Sequence, residues 1–236
     1  MKRHRLGQHY LVDQGVIRQV VSLAKIGPAD RVLEIGTGRG ALTKELAVLG
    51  TSYLGYEVDR ANFDKTSDLV RGTSARIVLA NAFEERPVFD ILVSSLPYSE
   101  SASFVKWLGG MKFRRAVVVL QADFVRKIMA PPGSRDYRGI SALSQICFDV
   151  EVLGRVPRAA FAPQPMVGSV IASFSPRRQI EEAEVANVIR LFSLRRRLAD
   201  SALAELGMKG AGNLSKRRVN SLSPDEVHLL CAPQPL

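Results

Sequence analysis

A short apolar segment that runs directly into a cluster of glycines limits the fold of this chain more than any other feature. Arg31 to Ile35 has the aliphatic composition of a buried strand, and the turn Gly36-Thr37-Gly38-Arg39-Gly40 follows it at once. The next segment, Ala41 to Leu49, carries apolar residues at helical spacing. A strand, a glycine turn and a helix in this order predict an open α/β sheet whose backbone a ligand can approach closely.

Further segments repeat the alternation of strand and helix. Helical spacing occurs over Val16 to Ala24 and again between the later strands. The other predicted strands are Ser52 to Val58, Ala75 to Leu79, Phe89 to Val93, Arg115 to Leu120, Phe148 to Leu153 and Val167 to Phe174. This rhythm predicts an α/β, Rossmann-like, doubly wound parallel sheet, which the last two strands extend. After Ser175-Pro176 the chain becomes helical and rich in arginine, so we predict a catalytic domain over residues 1–176 and a small basic helical domain over residues 177–236.

The charge balance indicates a polyanionic partner. The 236 residues include 33 lysines and arginines against 23 aspartates and glutamates, which gives a net charge of +10. Phosphate groups offset such an excess, so a nucleic acid is favoured, although a basic protein without that role has the same balance. Cys147 and Cys231 have neither CxxC spacing nor a neighbouring histidine cluster, which predicts reduced structural cysteines and no metal site. Without a secretory signal or an apolar stretch of about 18 residues, we expect a cytoplasmic protein with no membrane segment.

Two acidic residues near the glycine turn distinguish between cofactors. Gly36 to Ala41 also satisfies the pattern G-x-G-x-x-A, so an NAD-dependent dehydrogenase is an alternative. Glu34 stands two residues before the first glycine, where a carboxylate would face the cationic amino-acid end of S-adenosylmethionine rather than a pyrophosphate. Glu57 closes the second predicted strand, where an acid can accept both ribose hydroxyls. The pair favours S-adenosylmethionine, and the structural alternatives are a surface charge at Glu34 and a sheet-edge carboxylate at Glu57.

The segment Ser94-Ser95-Leu96-Pro97-Tyr98 follows the fourth predicted strand. Ligands of open α/β sheets bind at the carboxyl ends of the central strands, so this segment should face the transferred methyl group. A proline fixes the backbone and leaves carbonyls that accept from an exocyclic amine, and an aromatic ring can stack on a flipped base. We therefore predict Ser95, Leu96, Pro97 and Tyr98 as catalytic residues of an amine methyltransferase, with a simple turn around a buried tyrosine as the structural alternative.

Several motifs, taken together, resemble those of the KsgA-type small-subunit rRNA adenine N6-dimethyltransferases. Gly7 to Asp13 is similar to the family's GQNFLxD, Val32 to Thr43 to VLEIGPGxGALT, and Tyr56 to Asp59 to its ExD segment. Gln121 to Ser141 is similar to QKEVxxRLxxxPGSKxYGxLS, and Phe161 to Pro165 to FxPxP. The resemblance covers most of the chain and implies S-adenosylmethionine as cofactor. Combined with the acidic pair, it gives the predicted cofactor-binding residues Gln8, His9, Leu11, Glu34, Gly36, Gly38, Glu57, Val58, Asn81, Ala82 and Ser95.

The chain departs from the family pattern around the predicted site. Ser95 stands where the family has the asparagine of NLPY, Asn81 stands in place of an aspartate, and His9 stands in place of an asparagine. Residues 166–169 also lack the family's lysine and aspartate. A serine hydroxyl is shorter than the asparagine side-chain carbonyl as an acceptor for the target amine, whereas Asn81 keeps a carbonyl for the cofactor adenine. We therefore expect slow methylation or only one methyl transfer.

RNA contacts are expected from basic clusters, each of which could otherwise be a solvated face. Residues 2–5, 112–115 and 177–178 are three of these clusters. Arg195 to Arg197 is expected to open a helix, which would spread its side chains around the axis. The resemblance adds Phe161 as a second wall for a flipped base. The predicted RNA-binding cations are Arg195, Arg196, Arg197, Lys216, Arg217 and Arg218.

The sequence thus leaves three functions open. The first is methylation of adenine N6 in small-subunit rRNA, coupled to ribosome biogenesis, by a monomer that binds the pre-ribosomal small subunit. The second is a ribosome-assembly factor of the same family with weak or mono-methylating activity. The third, the dehydrogenase, leaves Ser95 to Tyr98 and the basic excess unexplained.

Overall fold

The computed structural model describes residues 9–49 and 51–233. Its strands are β1 (Tyr10–Leu11), β2 (Arg31–Ile35), β3 (Ser52–Glu57), β4 (Arg76–Leu79), β5 (Ile91–Ser95), β6 (Arg115–Gln121), β7 (Phe148–Val156), β8 (Phe161–Ala162) and β9 (Ser169–Pro176). Its helices are α1 (Gln14–Ala24), α2 (Ala41–Ala47), α3 (Arg60–Leu69), α4 (Ser101–Leu108), α5 (Ala122–Ile128), α6 (Gly139–Cys147), α7 (Glu182–Ser193), α8 (Ala199–Glu205) and α9 (Pro224–Cys231). β2 has the predicted bounds, and the other predicted strands are present with ends shifted by a few residues.

The main sheet has seven strands in the order β4-β3-β2-β5-β6-β9-β7. The pairs β3-β4, β2-β3, β2-β5 and β5-β6 are parallel, which confirms the Rossmann-like pattern of the first five strands. β9 runs antiparallel to β6, with Ala116 opposite Phe174 and Gln121 opposite Ser169. The two late strands extend the sheet as predicted, and the antiparallel pairing of β9 avoids the helical crossover that a parallel strand needs. Strand order changes direction between β2 and β5, and such a switch point leaves a crevice at the carboxyl ends.

Among the described residues, one compact unit comprises residues 9–49, 51–101, 112–125 and 151–175. Its core joins the apolar face of α1 to the strands beneath, and Ile17, Val20, Ile91 and Val117 are all fully buried. Asp13 begins α1 by accepting the main-chain N–H of Val16 at 2.9 Å. This packing gives the carboxyl ends of the strands a rigid base.

A second compact unit comprises residues 102–111, 126–150 and, of the C-terminal segment, the described residues 176–233. Helices α6, α7 and α9 pack together within it, and Gly139 lets α6 approach α7 so closely that a Cβ there would lie 3.1 Å from the Cβ of Phe192. The ring of Tyr137 meets Phe192 edge-on at 5.3 Å. The C-terminal segment of this unit begins one residue before the predicted boundary, but the unit also takes in residues 102–111 and 126–150, which the sequence division assigned to the first domain.

Both cysteines are free and buried. Burial, followed by the charge of Glu184, raises the pKa of the Cys147 and Cys231 thiols to about 12, so both remain protonated and unreactive at neutral pH. Among the described residues, no helix combines the length and the apolar character needed to cross a membrane.

Candidate functional site

A cavity of about 540 Å³ opens at the carboxyl ends of the central strands. It is lined by nearly all the residues predicted to bind the cofactor, namely His9, Leu11, Glu34, Gly36, Gly38, Glu57, Val58, Asn81, Ala82 and Ser95. Leu96 and Pro97 also line it, whereas Tyr98 and Phe161, although described, lie outside the lining. Gln8 lies outside the described residues. The volume and the apolar walls with a few polar groups are typical of small-molecule sites.

The glycine turn shapes one wall of the cavity. Gly36, Gly38 and Gly40 have φ angles of 74°, 53° and 83°, in the left-handed region that glycine adopts without strain. The Gly36 N–H donates to the Tyr56 carbonyl at 2.8 Å, which ties the turn to β3. A Cβ at Gly36 would meet no protein atom within 4 Å, whereas one at Gly40 would lie 2.4 Å from the Leu69 Cδ1. Gly36 therefore leaves open space for a ligand, and Gly40 leaves space for α3.

Glu57 ends β3 with a carboxylate held by the main chain. One oxygen accepts the Gly38 N–H at 2.7 Å, and the other accepts the N–H groups of Val58 and Asp59 at 2.8 and 2.9 Å. Each carboxylate oxygen has two lone pairs, so an acceptor position remains for a ligand hydroxyl. The alternative of a loose sheet-edge charge does not fit this arrangement.

Glu34 is buried, with 1% of its surface exposed, so the alternative of a surface charge is wrong. Its Oε2 accepts the Tyr53 hydroxyl at 2.5 Å and the Thr43 hydroxyl at 2.9 Å. Burial raises the pKa of Glu34 to about 8, the hydrogen bonds from Tyr53 and Thr43 oppose this rise, and the charge of Glu57 adds to it. Sequence reasoning missed Tyr53 and Thr43, because nothing in the local pattern indicates which side chains across the sheet reach Glu34.

Asn81 follows β4, and its side chain is used locally. Its Oδ1 accepts the Phe83 N–H at 3.1 Å, and its Nδ2 donates to the Glu84 carboxylate at 2.9 Å. The amide thus caps the turn formed by Ala82 to Glu84. A second lone pair on Oδ1 leaves it able to accept from a ligand amine as well.

The segment predicted to be catalytic begins inside β5 rather than after it. The Ser94 hydroxyl donates to the Ile35 carbonyl at 2.6 Å and so joins β5 to β2, and Ser95 is the last residue of the strand. The Pro97 carbonyl accepts the Glu100 N–H at 2.9 Å and keeps one free lone pair. The Tyr98 hydroxyl forms a 2.5 Å hydrogen bond with the Ser169 hydroxyl, which fixes the ring beside the cavity.

A short two-stranded sheet borders the same cavity. β1 pairs antiparallel with β8, so that Leu11 lies opposite Phe161. Phe161 is 3% exposed and belongs to the core, which gives it a packing role. The His9 Nδ1 donates to the Pro163 carbonyl at 2.8 Å, since a carbonyl can only accept, and its ring lies 5.6 Å from that of Tyr98.

Tyr10 and Arg39 are among the residues that line the cavity without having been predicted. The guanidinium of Arg39 stacks 4.4 Å from the centre of the Tyr10 ring. Tyr10 belongs to β1, and Arg39 belongs to the glycine turn. The stacking therefore joins the short sheet to the turn, and it is a contact between distant parts of the chain that no local pattern indicates.

The predicted RNA-binding cations lie in the second unit. Arg195 to Arg197 occupy the turn between α7 and α8, so the expectation that they open a helix is wrong. The Val219 N–H donates to the Arg197 carbonyl and the Asn220 N–H to the Arg195 carbonyl, both at 3.0 Å, which brings residues 216–218 beside this turn. Backbone pairing between two loops therefore brings the two cationic segments together, and the region formed by Arg195, Arg196, Arg197, Lys216, Arg217 and Arg218 is called here the arginine surface.

Two cations of the arginine surface are ion-paired within the protein. Arg197 is ion-paired with Glu205, and Arg217 with Glu226. Within residues 9–49 and 51–233, Arg195, Arg196 and Lys216 form no salt bridge. Burial, followed by the charges of Arg138 and Arg196, lowers the pKa of Arg195. The sequence did not indicate Arg138, which the chain brings here from the start of α6.

The cavity suits S-adenosylmethionine on three structural grounds. Open space at Gly36 admits a ligand against the backbone, and a free acceptor position on Glu57 suits ribose hydroxyls. Glu34 is buried and lines the cavity, where its carboxyl can face the positive charge of the ligand. The described residues of the turn provide no pyrophosphate cradle of free N–H groups at Gly36 and Gly38, because both N–H groups are used within the protein.

Residues 1–224 match the family described as ribosomal RNA adenine dimethylase. The chain is 33% identical over 237 residues to the probable ribosomal RNA small subunit methyltransferase A of Pyrococcus abyssi, covering 94% of this chain and 88% of the relative. It is 32% identical over 257 residues to the ribosomal RNA small subunit methyltransferase A of Moorella thermoacetica, covering 95% and 89%. Among solved structures, a dimethyladenosine transferase from Plasmodium falciparum has the same fold, with a TM-score of 0.79 at 20% identity over 94% of this chain and 96% of the other. The chain therefore belongs to the ribosomal RNA adenine dimethylase family.

Proposed function

We propose that this chain transfers methyl groups from S-adenosylmethionine to the N6 amine of adenines in small-subunit rRNA. The observation that carries the proposal is the cavity at the carboxyl ends of β2, β3 and β5, which joins Glu57, Gly36 and the Ser95-Leu96-Pro97 segment in one space. The dehydrogenase alternative is set aside, because the chain belongs to an RNA adenine dimethylase family and lacks a free phosphate cradle at Gly36 and Gly38 of the glycine turn.

S-adenosylmethionine supplies a methyl group on a sulfonium, an activated donor that needs little acid or base assistance. The chain holds it through Glu57 at the ribose, Asn81 at the adenine and Glu34 towards the cationic end. Gly36 allows the close backbone approach. The lining of the cavity and the acceptor positions that remain on Glu57 and Asn81 support these proposed roles.

The protein must also hold the target amine in line with the donor. The lone pair of adenine N6 is delocalised into the ring, so carbonyl acceptors are needed to draw the amine towards a nucleophilic geometry. The Pro97 carbonyl has a free lone pair for this purpose, and the Ser95 hydroxyl is the second acceptor at the end of β5. Tyr98, which contacts Ser169 and His9, follows Pro97 directly and is proposed to stack its ring on the flipped base. Alignment of this kind supplies much of the rate enhancement.

The remaining parts of the proposal concern the partner. Relatives named as small-subunit methyltransferases support the small ribosomal subunit or its precursor as substrate, and the arginine surface supports binding through phosphates. We further propose that the protein acts in the cytoplasm as a monomer during ribosome maturation. A second candidate function, an assembly factor that methylates slowly or only once, is favoured by one observation, the short Ser95 side chain at the acceptor position.

Methylation of rRNA by the purified protein tests both functions. Unmodified small ribosomal subunits are incubated with labelled S-adenosylmethionine, and digested nucleosides are analysed by mass spectrometry for mono- and dimethyladenosine. We expect product from the wild type, little from Glu57→Ala, and a larger dimethyl fraction from Ser95→Asn. Replacing a weak acceptor that acts mainly in the transition state changes the barrier by on the order of 1 kcal/mol, about fivefold in rate. Methylation of a base other than adenine would contradict the proposal, and rapid dimethylation by the wild type would exclude the assembly-factor alternative.

A further inference from the structure

The Glu34 carboxyl lies in an unusual environment for an acid beside a ligand cavity. It is 1% exposed, and the two groups that donate to it are neutral hydroxyls, from Tyr53 on β3 and Thr43 on α2. No lysine, arginine or histidine in the part of the chain that the structure describes forms a salt bridge with it. The charge that acts on it belongs to another acid, Glu57. A buried acid without a cation favours its neutral form. The other titratable groups that line the cavity are His9, Tyr10, Arg39, Tyr56 and Glu100.

The side chain of Tyr53 occupies space that a side chain at position 55 would restrict. Gly55, two residues along β3, has no side chain, and a Cβ there would lie 2.9 Å from the Tyr53 hydroxyl. The tyrosine is 3% exposed and its hydroxyl reaches Glu34 at 2.5 Å. Both hydroxyl donors meet the same oxygen, Oε2. This arrangement fixes the carboxyl in one orientation at the cavity wall.

We propose that Tyr53 is a positioning residue that, together with Thr43, holds the Glu34 carboxyl towards the cofactor, and that binding of the cationic methyl donor releases the proton of Glu34 to solvent. The inference rests on the proposed function, because it takes S-adenosylmethionine as the ligand. The sulfonium and ammonium groups supply the positive charge that the buried acid lacks, so they stabilise its carboxylate. After transfer the sulfur is a neutral thioether, and the carboxyl regains a proton more readily, which favours release of the product over the donor.

Proton release on binding gives a direct test with the wild-type protein. Calorimetry near pH 7 in two buffers of different ionisation enthalpy measures the protons exchanged on binding, using S-adenosylmethionine, S-adenosylhomocysteine and the uncharged methylthioadenosine. We expect release approaching one proton with S-adenosylmethionine, less with S-adenosylhomocysteine and almost none with methylthioadenosine. Between about pH 6 and about pH 7.5, the affinity for S-adenosylmethionine should rise by roughly threefold to tenfold per pH unit, while that for methylthioadenosine stays flat.

Three variants test whether Tyr53 positions the Glu34 carboxyl or only stabilises the fold. In Tyr53→Phe the acid loses a donor that favours its charged form, so affinity for S-adenosylmethionine should fall and its rise with pH should move to higher pH. Thr43→Val should act in the same direction with a smaller change. Tyr137→Phe is the matched control, since it removes a buried tyrosine hydroxyl in the second unit that has no hydrogen-bond partner among the described residues. Its affinity and pH profile should equal those of the wild type.

Failure of this inference is distinct from failure of the proposed function. If the wild type binds S-adenosylmethionine without releasing a proton, or if folded Tyr53→Phe and Thr43→Val lower affinity equally at every pH, Tyr53 has only a structural role and the inference is wrong. If Tyr53→Phe does not fold, the number of protons released by the wild type and the pH profile of Thr43→Val still test the inference. Absence of any binding of S-adenosylmethionine to the wild type would instead overturn the function itself.

Discussion

The cavity and the arginine surface hold their charged groups in different ways. In the cavity the main chain fixes the functional groups, as at Glu57, whose two oxygens accept three N–H groups. On the arginine surface the cations extend from turns, and Arg197 and Arg217 are already paired with carboxylates. Ligand recognition in the first region should therefore depend on backbone geometry, whereas the RNA binding proposed for the second should depend on how many cations remain unpaired.

The two regions should accordingly respond differently to mutation. A change of one atom in the cavity alters the shape that a small ligand must fit. If the arginine surface binds RNA as proposed, loss of one cation removes one phosphate contact among several, so its effect should be graded and salt-dependent.

The largest effect is expected from filling the space at the glycine turn. Gly36→Ala places a methyl group in the ligand space, and we expect affinity for S-adenosylmethionine to fall at least about tenfold, equivalent to ~1.4 kcal/mol. The matched control is Gly72→Ala, because Gly72 has a similar φ of 82° and equally open surroundings but does not line the cavity. Both variants should lose about 1 to 2 kcal/mol of folding stability from the left-handed conformation. Calorimetry and thermal unfolding of both variants measure the two quantities.

Gly40→Ala tests the stability of the fold in the same turn, separately from the shape of the ligand space. Its Cβ would lie 2.4 Å from the Leu69 Cδ1, so overpacking adds roughly 1 to 3 kcal/mol to the conformational cost. We expect a larger fall in the free energy of unfolding than for Gly36→Ala. If Gly36→Ala and Gly72→Ala bind S-adenosylmethionine with equal affinity, the open space at Gly36 is not part of the ligand site.

Much of the cavity could be predicted from the sequence because its parts are local. A strand, three glycines and Glu57 are readable from short patterns, since positive φ angles demand glycine and an acid at a strand end points to the crevice. The contacts of Tyr53 and Thr43 with Glu34 could not be predicted from the sequence, because they depend on which side chains the sheet and α2 bring together. The turn at Arg195 to Arg197 was mistaken for a helix start, because arginine has a good helix propensity and the pairing of residues 219 and 220 with this turn is not local.

An intermediate effect is expected when cations of the arginine surface are neutralised. Arg196→Ala and Lys216→Ala each remove an unpaired cation, so RNA affinity should fall a few-fold and the slope of log affinity against log salt should flatten by about 0.7 to 0.9 each. Arg217→Ala should flatten the slope less, because Arg217 is paired with Glu226 and also donates to the Ser221 carbonyl, and it should lower the Tm instead.

The control for charge alone is Arg60→Ala in the first unit. Arg60 is exposed and paired with Asp64, so its removal changes net charge by the same amount away from the arginine surface. Salt titrations of binding to a small-subunit rRNA fragment compare the four variants. A slope that changes equally in all of them would mean that total charge, rather than the arginine surface, attracts RNA.

An ion pair at the amino ends of the central strands, opposite the cavity, contributes to neither ligand site. The Asp90 carboxylate accepts three hydrogen bonds from Arg31, from the main-chain N–H and Nε at 2.9 Å and from Nη2 at 2.8 Å. The main chain of Asp90 joins β2 to the residue before β6, since its N–H donates to the Arg31 carbonyl and its carbonyl accepts the Arg114 N–H, both at 2.8 Å. The Arg31 hydrogen bonds lower the pKa of Asp90 to about 2.

The smallest effect is therefore expected from Asp90→Asn, which removes the charge of this pair. A carboxyl whose pKa is lowered by folding stabilises the fold above its unfolded value and loses that contribution as pH falls through its folded value. Asp90→Asn should lower the Tm by about 2 °C at neutral pH, since exposed pairs contribute little. The difference from the wild type should stay constant above about pH 5 and shrink as pH falls from about 4 towards 2. Thermal unfolding across this range measures it, and a difference that grows with acidification would mean that Asp90 acts through something other than its charge.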